Sequence, residues 1–199
     1  MLRIVALIYT LLVGLPALAG EAEDGRYLEL LKGVLMKPLA SDYEALRSAF
    51  AASKFYRGNM SDPFNLRAEI IMSGAPATDE MKARVKKAAE VDFPMPGSHL
   101  NVLDILQPEK GSKLRNFHLA VAGNLIKALL AAGDGKSAKT AFKVMATSEE
   151  YLILDVLELK RGSQSLNKVD GISYDVQSAT DAKGVRSDVW FDISAFFGK

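Results

Sequence analysis

The sequence predicts an α+β fold, in which an N-terminal helical layer of helix pairs precedes a small antiparallel sheet with one inserted helix. The first observation is the placement of proline: all seven prolines lie at or before Pro108, which favours short helices separated by turns. The second is a change after Gly135, where alternating apolar residues and turn dipeptides replace helical spacing. We therefore expect a helical region at residues 20–135 and a β-rich region at 136–199, packed together as one domain.

Residues 1–19 have the features of a cleaved secretory signal peptide. Arg3 precedes an apolar run of about 10 residues, and small residues stand before the expected cleavage between Ala19 and Gly20. The run is shorter than the roughly 20 residues that a transmembrane helix needs. We therefore expect a periplasmic or secreted protein that has no stable membrane anchor once the leader is removed.

Composition excludes several classes of protein. The 25 basic and 24 acidic residues nearly cancel, which argues against a dedicated nucleic-acid binder. Cysteine is absent, so the chain has no disulfide, no thiolate metal site and no cysteine nucleophile. Its only histidines are His99 and His118, too few for a three-histidine metal site within one chain. We predict no cofactor and no metal, and nothing in the sequence specifies an oligomeric state.

Helical spacing of apolar residues predicts the elements of the first region. Ser41 or Asp42 is suited to cap the second helix, and Thr78 the fourth. The longest helix is apolar over more than half of its circumference, which indicates a central position, and Gly133 is predicted to end it as a helix-terminal glycine. The predicted helices cover residues 26–36, 43–50, 64–72, 79–89, 100–106 and 113–132.

Alternation predicts four strands and one helix in the second region. Ser148 is suited to cap the helix, because Glu149 and Glu150 then lie at the positive end of its dipole. The Asp170-Gly171 pair is a strong hairpin signal. The predicted elements are a strand at 140–146, a helix at 148–158 and strands at 163–169, 172–179 and 185–194.

An ordered series of short motifs links residues 40–195 to a known family. The series begins with the helix Asp42–Tyr56 (DYEALRSAFAASKFY) and continues with His118 on the long helix that runs into Gly133–Ser137. The later motifs are Thr140-Ala141-Phe142, Glu149-Glu150-Tyr151, Gln164-Ser165-Leu166, Asp170-Gly171, Tyr174-Asp175-Val176 and Phe191-Asp192-Ile193. With these motifs the chain resembles the bacterial domain-of-unknown-function family 4919, although Arg57-Gly58 stands where a proline-containing turn is expected. The resemblance implies an exported bacterial protein of unknown activity.

The candidate catalytic residues are His118, Glu150 and Asp175, with Glu149 as an alternative to Glu150. Imidazole and carboxyl groups are the usual general acids and bases of enzymes. Adjacent glutamates on a helix point about 100° apart, so they are poorly placed to act as a catalytic pair. Capping of the helix by Glu149 and Glu150 is therefore the favoured interpretation.

Two further patterns have weak functional interpretations. His99 and His118 could form a sparse metal site with Asp104, whereas a buried core histidine is the simpler interpretation of His118. Gly135-Lys136-Ser137 ends like a phosphate loop, but Leu130 stands where that loop requires its first glycine. We therefore predict a helix-to-strand turn at this position.

The candidate binding residues are Arg47, Tyr56, Tyr174 and Trp190. Depending on the strand register, Asp175 and Asp192 share the face of Trp190. An exposed tryptophan beside carboxylates is suited to contact a carbohydrate or a peptide, while an ordinary solvated sheet face is the simpler alternative.

These observations favour a non-enzymatic exported scaffold or binding protein with a protein or peptide partner. The reason is that the sequence contains no complete catalytic motif, whereas pairs of helices could present a groove. The alternative hypothesis is a hydrolase or a metal-dependent enzyme that uses His118 with Glu149 or Glu150 and Asp175.

Overall fold

The computed structural model describes residues 21–58, 69, 72 and 74–198. The described chain is of the predicted α+β class, with most helices in its N-terminal part and a four-stranded sheet in its C-terminal part. The helices are α1 (Glu21–Met36), α2 (Tyr43–Ala52), α3 (Asp79–Val91), α4 (Pro96–Ile105), α5 (Lys113–Ala131) and α6 (Thr147–Val156). The strands are β1 (Phe142–Lys143), β2 (Lys160–Val169), β3 (Ile172–Thr180) and β4 (Arg186–Asp192), and a 3₁₀ turn at Ala138–Thr140 precedes them.

Two predictions lie outside the described residues, namely the leader with its cleavage position at Ala19 and Gly20, and most of the helix at 64–72. In the part that the structure describes, no helix is both long and apolar enough to cross a membrane. The described residues divide into two compact units, of which the first comprises residues 21–57, 69, 72 and 74–125 and the second residues 58 and 126–198.

The first unit contains two pairs of neighbouring helices that pack through apolar side chains. Between α1 and α2, the ring centroids of Tyr27 and Phe50 are 5.1 Å apart. Between α3 and α4, the contact is a small buried cluster of Val85, Ala89 and Val102. Burial of such side chains is the main force that holds short helices in place, because helices of this length are marginal alone.

The predicted helix caps of the first unit are confirmed. Of the two candidates before α2, Asp42 is the cap, since its Oδ1 accepts a hydrogen bond from the Ala45 N–H at 2.9 Å. Thr78 caps α3 in the same way, with its Oγ1 3.2 Å from the Met81 nitrogen. Each cap satisfies one of the N–H groups that a helix leaves unpaired at its start.

The sheet has the strand order β1-β4-β3-β2 and is mixed, not purely antiparallel. β2, β3 and β4 form an antiparallel meander, whereas β1 runs parallel to β4. The predicted strand at 140–146 shrinks to two residues, because the 3₁₀ turn takes up its start and α6 begins at Thr147. The inserted helix between the first two strands is confirmed.

The prediction that Ser148 caps α6 is wrong. The capping position belongs to Ala146, whose side chain cannot accept a hydrogen bond. The start of the helix is instead stabilised by Glu149, whose Oε2 accepts a bond from the Met145 N–H at 2.8 Å. A glutamate in the first turn that reaches back in this way resembles half of a capping box.

The register assigns the strand residues to two faces of the sheet. The inner face packs against Ile153 and Leu154 of α6 and forms the core of the second unit. It carries Gln164 and Leu166 of β2, Asp175, Gln177 and Ala179 of β3, and Val189 and Phe191 of β4. The outer face carries Ile172, Tyr174 and Val176 of β3, and Trp190 and Asp192 of β4.

The turn after α5 needs glycine for a reason other than the predicted one. Gly133 follows the helix, but the residue with a left-handed backbone is Gly135, at φ 68°. A Cβ on Gly133 would collide with the backbone carbonyl oxygens of Thr140 and Ala141. Glycine at 133 is therefore required by the close approach of the returning chain, and the predicted helix-to-strand turn is confirmed at Gly135.

Replacing Gly133 with alanine is expected to lower the free energy of unfolding by about 1 to 3 kcal/mol, because the backbone it would strike cannot move aside cheaply. Gly123, inside α5, is the matched control: a Cβ there meets nothing within 4 Å. Gly123→Ala is expected to stabilise the chain by up to about 1 kcal/mol, since alanine favours the helix. Urea unfolding of both variants measures the difference, and equal effects would contradict the steric explanation.

Candidate functional site

Two of the candidate catalytic residues, Glu150 and Asp175, meet between α6 and the inner face of the sheet. Glu150 lies in the first turns of α6 and is fully buried, while Asp175 on β3 is 8% exposed. Their carboxyl groups are close enough for each to shift the pKa of the other. The capping interpretation of Glu150 is therefore wrong, because its side chain faces the sheet and not the start of its helix.

Two glutamine side chains complete the site. Gln177 Nε2 donates to Glu150 Oε2 at 2.7 Å, and Gln164 Nε2 donates to Asp175 Oδ2 at 2.7 Å. Gln177 stands two residues after Asp175 on β3, and therefore on the same face of the sheet. Gln164 reaches Asp175 from β2, where the two positions are diagonal neighbours. We call Glu150, Asp175, Gln164 and Gln177 the carboxyl cluster.

The geometry of the carboxyl cluster favours a shared proton. Glu150 Oε1 is buried and receives no hydrogen bond from any described donor, and the Asp175 carboxyl lies nearby. Two ionised carboxylates so close together would repel each other, whereas a proton between them allows a strong hydrogen bond. Burial, helped by the neighbouring charge of Asp175, raises the pKa of Glu150 to about 8. Burial also raises the pKa of Asp175.

A contact between β2 and α6 lies one residue along the chain from Glu150. Val189 and Phe191 face the carboxyl cluster from β4 and are uncharged. On β2, the guanidinium of Arg161 lies 4.3 Å from the ring centroid of Tyr151, the residue that follows Glu150. Arg161 therefore stacks on an aromatic face and joins β2 to α6, in a contact of the cation–π type.

The first unit contains a second buried polar contact, between His99 on α4 and His118 on α5. Their Nδ1 atoms are 2.8 Å apart, and His99 Nε2 lies 2.8 Å from the Phe93 carbonyl oxygen. Because a carbonyl can only accept, His99 Nε2 carries the proton. Neutral His99 then has a lone pair on Nδ1, so His118 must donate from its own Nδ1. The network thus fixes both tautomers and leaves His118 Nε2 unprotonated.

Burial keeps both histidines neutral. It lowers the pKa of His99, aided by the charge of His118, to about 3, and it lowers the pKa of His118 to about 4. His99 is fully buried, whereas Asp104 is exposed at the surface of the same helix. Within the described ranges, no group of three or more metal-binding side chains is placed to hold an ion.

The candidate binding residues are divided between the two units. Arg47 is buried, and its Nη1 donates to the Pro94 carbonyl at 3.0 Å. Tyr56 is half-buried and packs edge-on against Phe50, with ring centroids 5.6 Å apart. Both lie in the first unit, and each has a structural contact there.

Tyr174 and Trp190 do come together, on the outer face of the sheet. Their ring centroids are 5.8 Å apart, with Tyr174 buried and Trp190 half-buried. Asp192 is on this face, opposite Tyr174. The register that would place Asp175 beside Trp190 is wrong, since Asp175 pairs with Phe191 on the inner face.

Sequence reasoning missed Gln164 and Gln177, although one signal pointed to the second of them. The alternation of Tyr174 and Val176 already implied that Asp175 and Gln177 share the opposite face of β3. Of the catalytic candidates, Glu150 and Asp175 lie together in the second unit, while His118 belongs to the first. Glu149 is engaged at the start of α6.

Comparison with known proteins supplies a family. A family model described as "Domain of unknown function (DUF4919)" matches residues 40–198, which is most of the chain. No curated protein and no solved structure matches it. The matched range contains both histidines and all four residues of the carboxyl cluster. The chain therefore belongs to the DUF4919 family, as the order of its sequence motifs predicted.

Proposed function

We propose that this chain is an exported, non-enzymatic binding protein that captures an extended, acidic segment of a protein partner along the outer edge of β2. The observation that carries the proposal is the exposure of this strand. β2 is an edge strand, which pairs with β3 on one side, and all of its ten residues except Asn167 are exposed. An edge strand with this exposure is a template for strand addition, a common mode of peptide recognition.

The hairpin geometry identifies the backbone groups that such a segment would use. Asp170 and Gly171 both have positive φ, at 51° and 83°, as a two-residue type I′ turn requires. The turn makes Val169 and Ile172 a hydrogen-bonded pair, in which the backbone N–H and C=O groups of each residue face the other strand. Along β2, every second residue has this orientation, and the N–H and C=O groups of the residues between them face away from β3. The outward-facing amides are therefore those of Gln164, Leu166 and Lys168.

The charge of β2 favours an acidic partner. The strand contains Lys160, Arg161 and Lys168 and no acidic residue. Edge-to-edge pairing of two copies through β2 would bring these like charges together, which disfavours self-association at this edge. A negatively charged segment is attracted to the same side chains, so charge complementarity selects a partner other than a second copy.

A proline at position 166 tests strand addition. Leu166→Pro removes an outward N–H without removing a hydrogen bond between β2 and β3, and the matched variant Leu166→Ser keeps that N–H. From a displayed library of random dodecapeptides, the wild type is expected to select acidic sequences. Fluorescence anisotropy should show that Leu166→Pro weakens their binding at least tenfold while Leu166→Ser changes it less than threefold. Failure to select any peptide, or equal binding by both variants, would contradict the proposal.

Export is the second part of the proposal and rests on residues 1–19. The positive charge, the short apolar run and the small residues before Gly20 support cleavage by a signal peptidase. Intact-mass measurement of the protein purified from its native cells is expected to give a mature chain that begins at Gly20. A mass that includes Met1 would contradict cleavage.

The hydrolase hypothesis is the second candidate, favoured by the contact between Glu150 and Asp175. An acid that holds its proton near neutral pH is suited to general acid catalysis. We rank it second because Glu150 is fully buried and Glu149 is engaged with the Met145 amide. Hydrolysis of chromogenic esters, glycosides or peptides that disappears in Glu150→Gln would reverse this ranking.

A further inference from the structure

We propose that Glu150 and Asp175 form a proton-operated latch that holds α6 and β2 to the rest of the second unit. The latch would regulate peptide binding at the β2 edge, and this last step alone rests on the proposed function. In the closed state the proton is shared and α6 is packed on the sheet. In the open state the proton is lost, α6 is displaced from the sheet and β2 is less ordered.

The carboxyl cluster joins three elements through one chain of contacts. Gln164 on β2 donates to Asp175 on β3, Asp175 contacts Glu150 on α6, and Gln177 on β3 donates to the other oxygen of Glu150. The contact between the two carboxyl groups is the link in this chain that changes with pH, because loss of the proton replaces a hydrogen bond by the repulsion of two negative charges. The state of that proton therefore controls whether α6 is drawn to the sheet or repelled from it.

Among the residues that the structure describes, no cationic side chain offsets the charge of Glu150 or Asp175. On α6, Glu149 is also acidic, though its carboxylate is engaged with the Met145 amide. On β2, Arg161 is held over the Tyr151 ring and Lys168 is exposed near the hairpin turn. From β4, only Val189 and Phe191 face the pair. Two adjacent negative charges in this apolar setting are strongly unfavourable.

When both carboxyl groups are ionised, their repulsion displaces α6, while β3 at the centre of the sheet stays in place. β3 is paired on both sides, by β2 and by β4, so Asp175 is held in place. Displacement of Glu150 would carry Tyr151 away from Arg161, and β2 would lose a contact with α6. The strand would then be held by its ladder with β3 and by the bond from Gln164 to Asp175. A loosely held strand is a poorer template for strand addition, because its order must be restored on binding.

Hydrogen exchange of the free protein tests the latch without any peptide. The amides of Ser165, Asn167 and Val169 point towards β3 and report on the order of β2. With millisecond pulse labelling, corrected for intrinsic rates, their protection is expected to be at least tenfold lower at pH 9 than at pH 6. Glu150→Gln should show less than a twofold change between these pH values, since glutamine is neutral at both. Equal protection of the wild type at both pH values, or the same loss in the variant, would overturn the proposal.

A second variant keeps the test decisive if Glu150→Gln does not fold. Asp175→Asn removes the neighbouring negative charge, and its amide can donate to an ionised Glu150, so the fall in protection between pH 6 and pH 9 is expected to be smaller than in the wild type. An unchanged fall would overturn the proposal. With a selected acidic peptide, the wild type should bind at least tenfold more weakly at pH 9 than at pH 6, whereas Glu150→Gln should not. If the wild type binds the peptide equally well at pH 6 and pH 9, the regulation of binding by the latch is refuted and the proposed function is not. If no peptide binds, only the proposed function is refuted.

Discussion

Replacing Glu150 with glutamine is expected to raise the free energy of unfolding of the second unit at pH 8 by about 2 to 5 kcal/mol relative to the wild type. The pKa of Glu150 is about 8 in the fold and near 4.5 in the unfolded chain. Its contribution to stability is therefore fully present below pH 4.5 and is lost as the pH rises through 8. Glutamine is neutral throughout, and it can accept from Gln177 while donating to Asp175.

Urea unfolding followed by tryptophan fluorescence measures this effect, because Trp190 is the only tryptophan of the chain and lies in the second unit. Near pH 4.5 the variant and the wild type should have similar stabilities, and the difference should grow as the pH rises. Asp155→Asn is the matched control, since Asp155 is an exposed carboxyl on the same helix. It should leave the pH dependence unchanged. A Glu150→Gln curve parallel to the wild-type curve would contradict the assignment.

The first unit is expected to show the opposite pH dependence, with a loss on the order of 5 kcal/mol between pH 7 and pH 4. The pKa values of His99 and His118 are about 3 and about 4 in the fold, below the ordinary value of 6.5. The unfolded chain therefore binds protons first as the pH falls. Stability is fully present above pH 6.5 and is lost as the pH falls through the folded pKa values.

His118→Asn separates protonation from hydrogen bonding. The asparagine amide can still donate to His99 Nδ1, but it does not titrate, so the loss of stability between pH 7 and pH 4 should be roughly halved. Both histidines of the chain lie in the first unit, so their NMR signals follow its unfolding. The ring nitrogen shifts should also show His99 protonated at Nε2 and His118 at Nδ1. The same acid sensitivity in the variant would contradict this prediction.

The sequence predicted those features that depend on local contacts. The caps at Asp42 and Thr78 bond to residues three positions ahead, and the turn at Asp170-Gly171 needs only two backbone conformations. The α+β class followed from the change of periodicity near Gly135. These signals are contained in short windows, so neighbouring residues determine them.

The carboxyl cluster depends on contacts that no short window contains. The contact of Glu150 with Asp175 is set by the packing of α6 on the sheet. The bond from Gln164 joins two strands whose register is set by the hairpin turn, and it requires that both side chains take the face on which α6 packs. The start of α6 was also predicted wrongly. Ser148 does not cap the helix, and the Met145 N–H donates instead to the Glu149 side chain.

Carbon-13 NMR of the side-chain carboxyl groups tests the shared proton most directly. We predict that Glu150 and Asp175 retain one proton between them through neutral pH and release it near pH 8 in a single step. The carboxyl carbons of both residues should move together in that step. If instead both groups have titrated completely below about pH 5, no proton is shared and the latch has no basis.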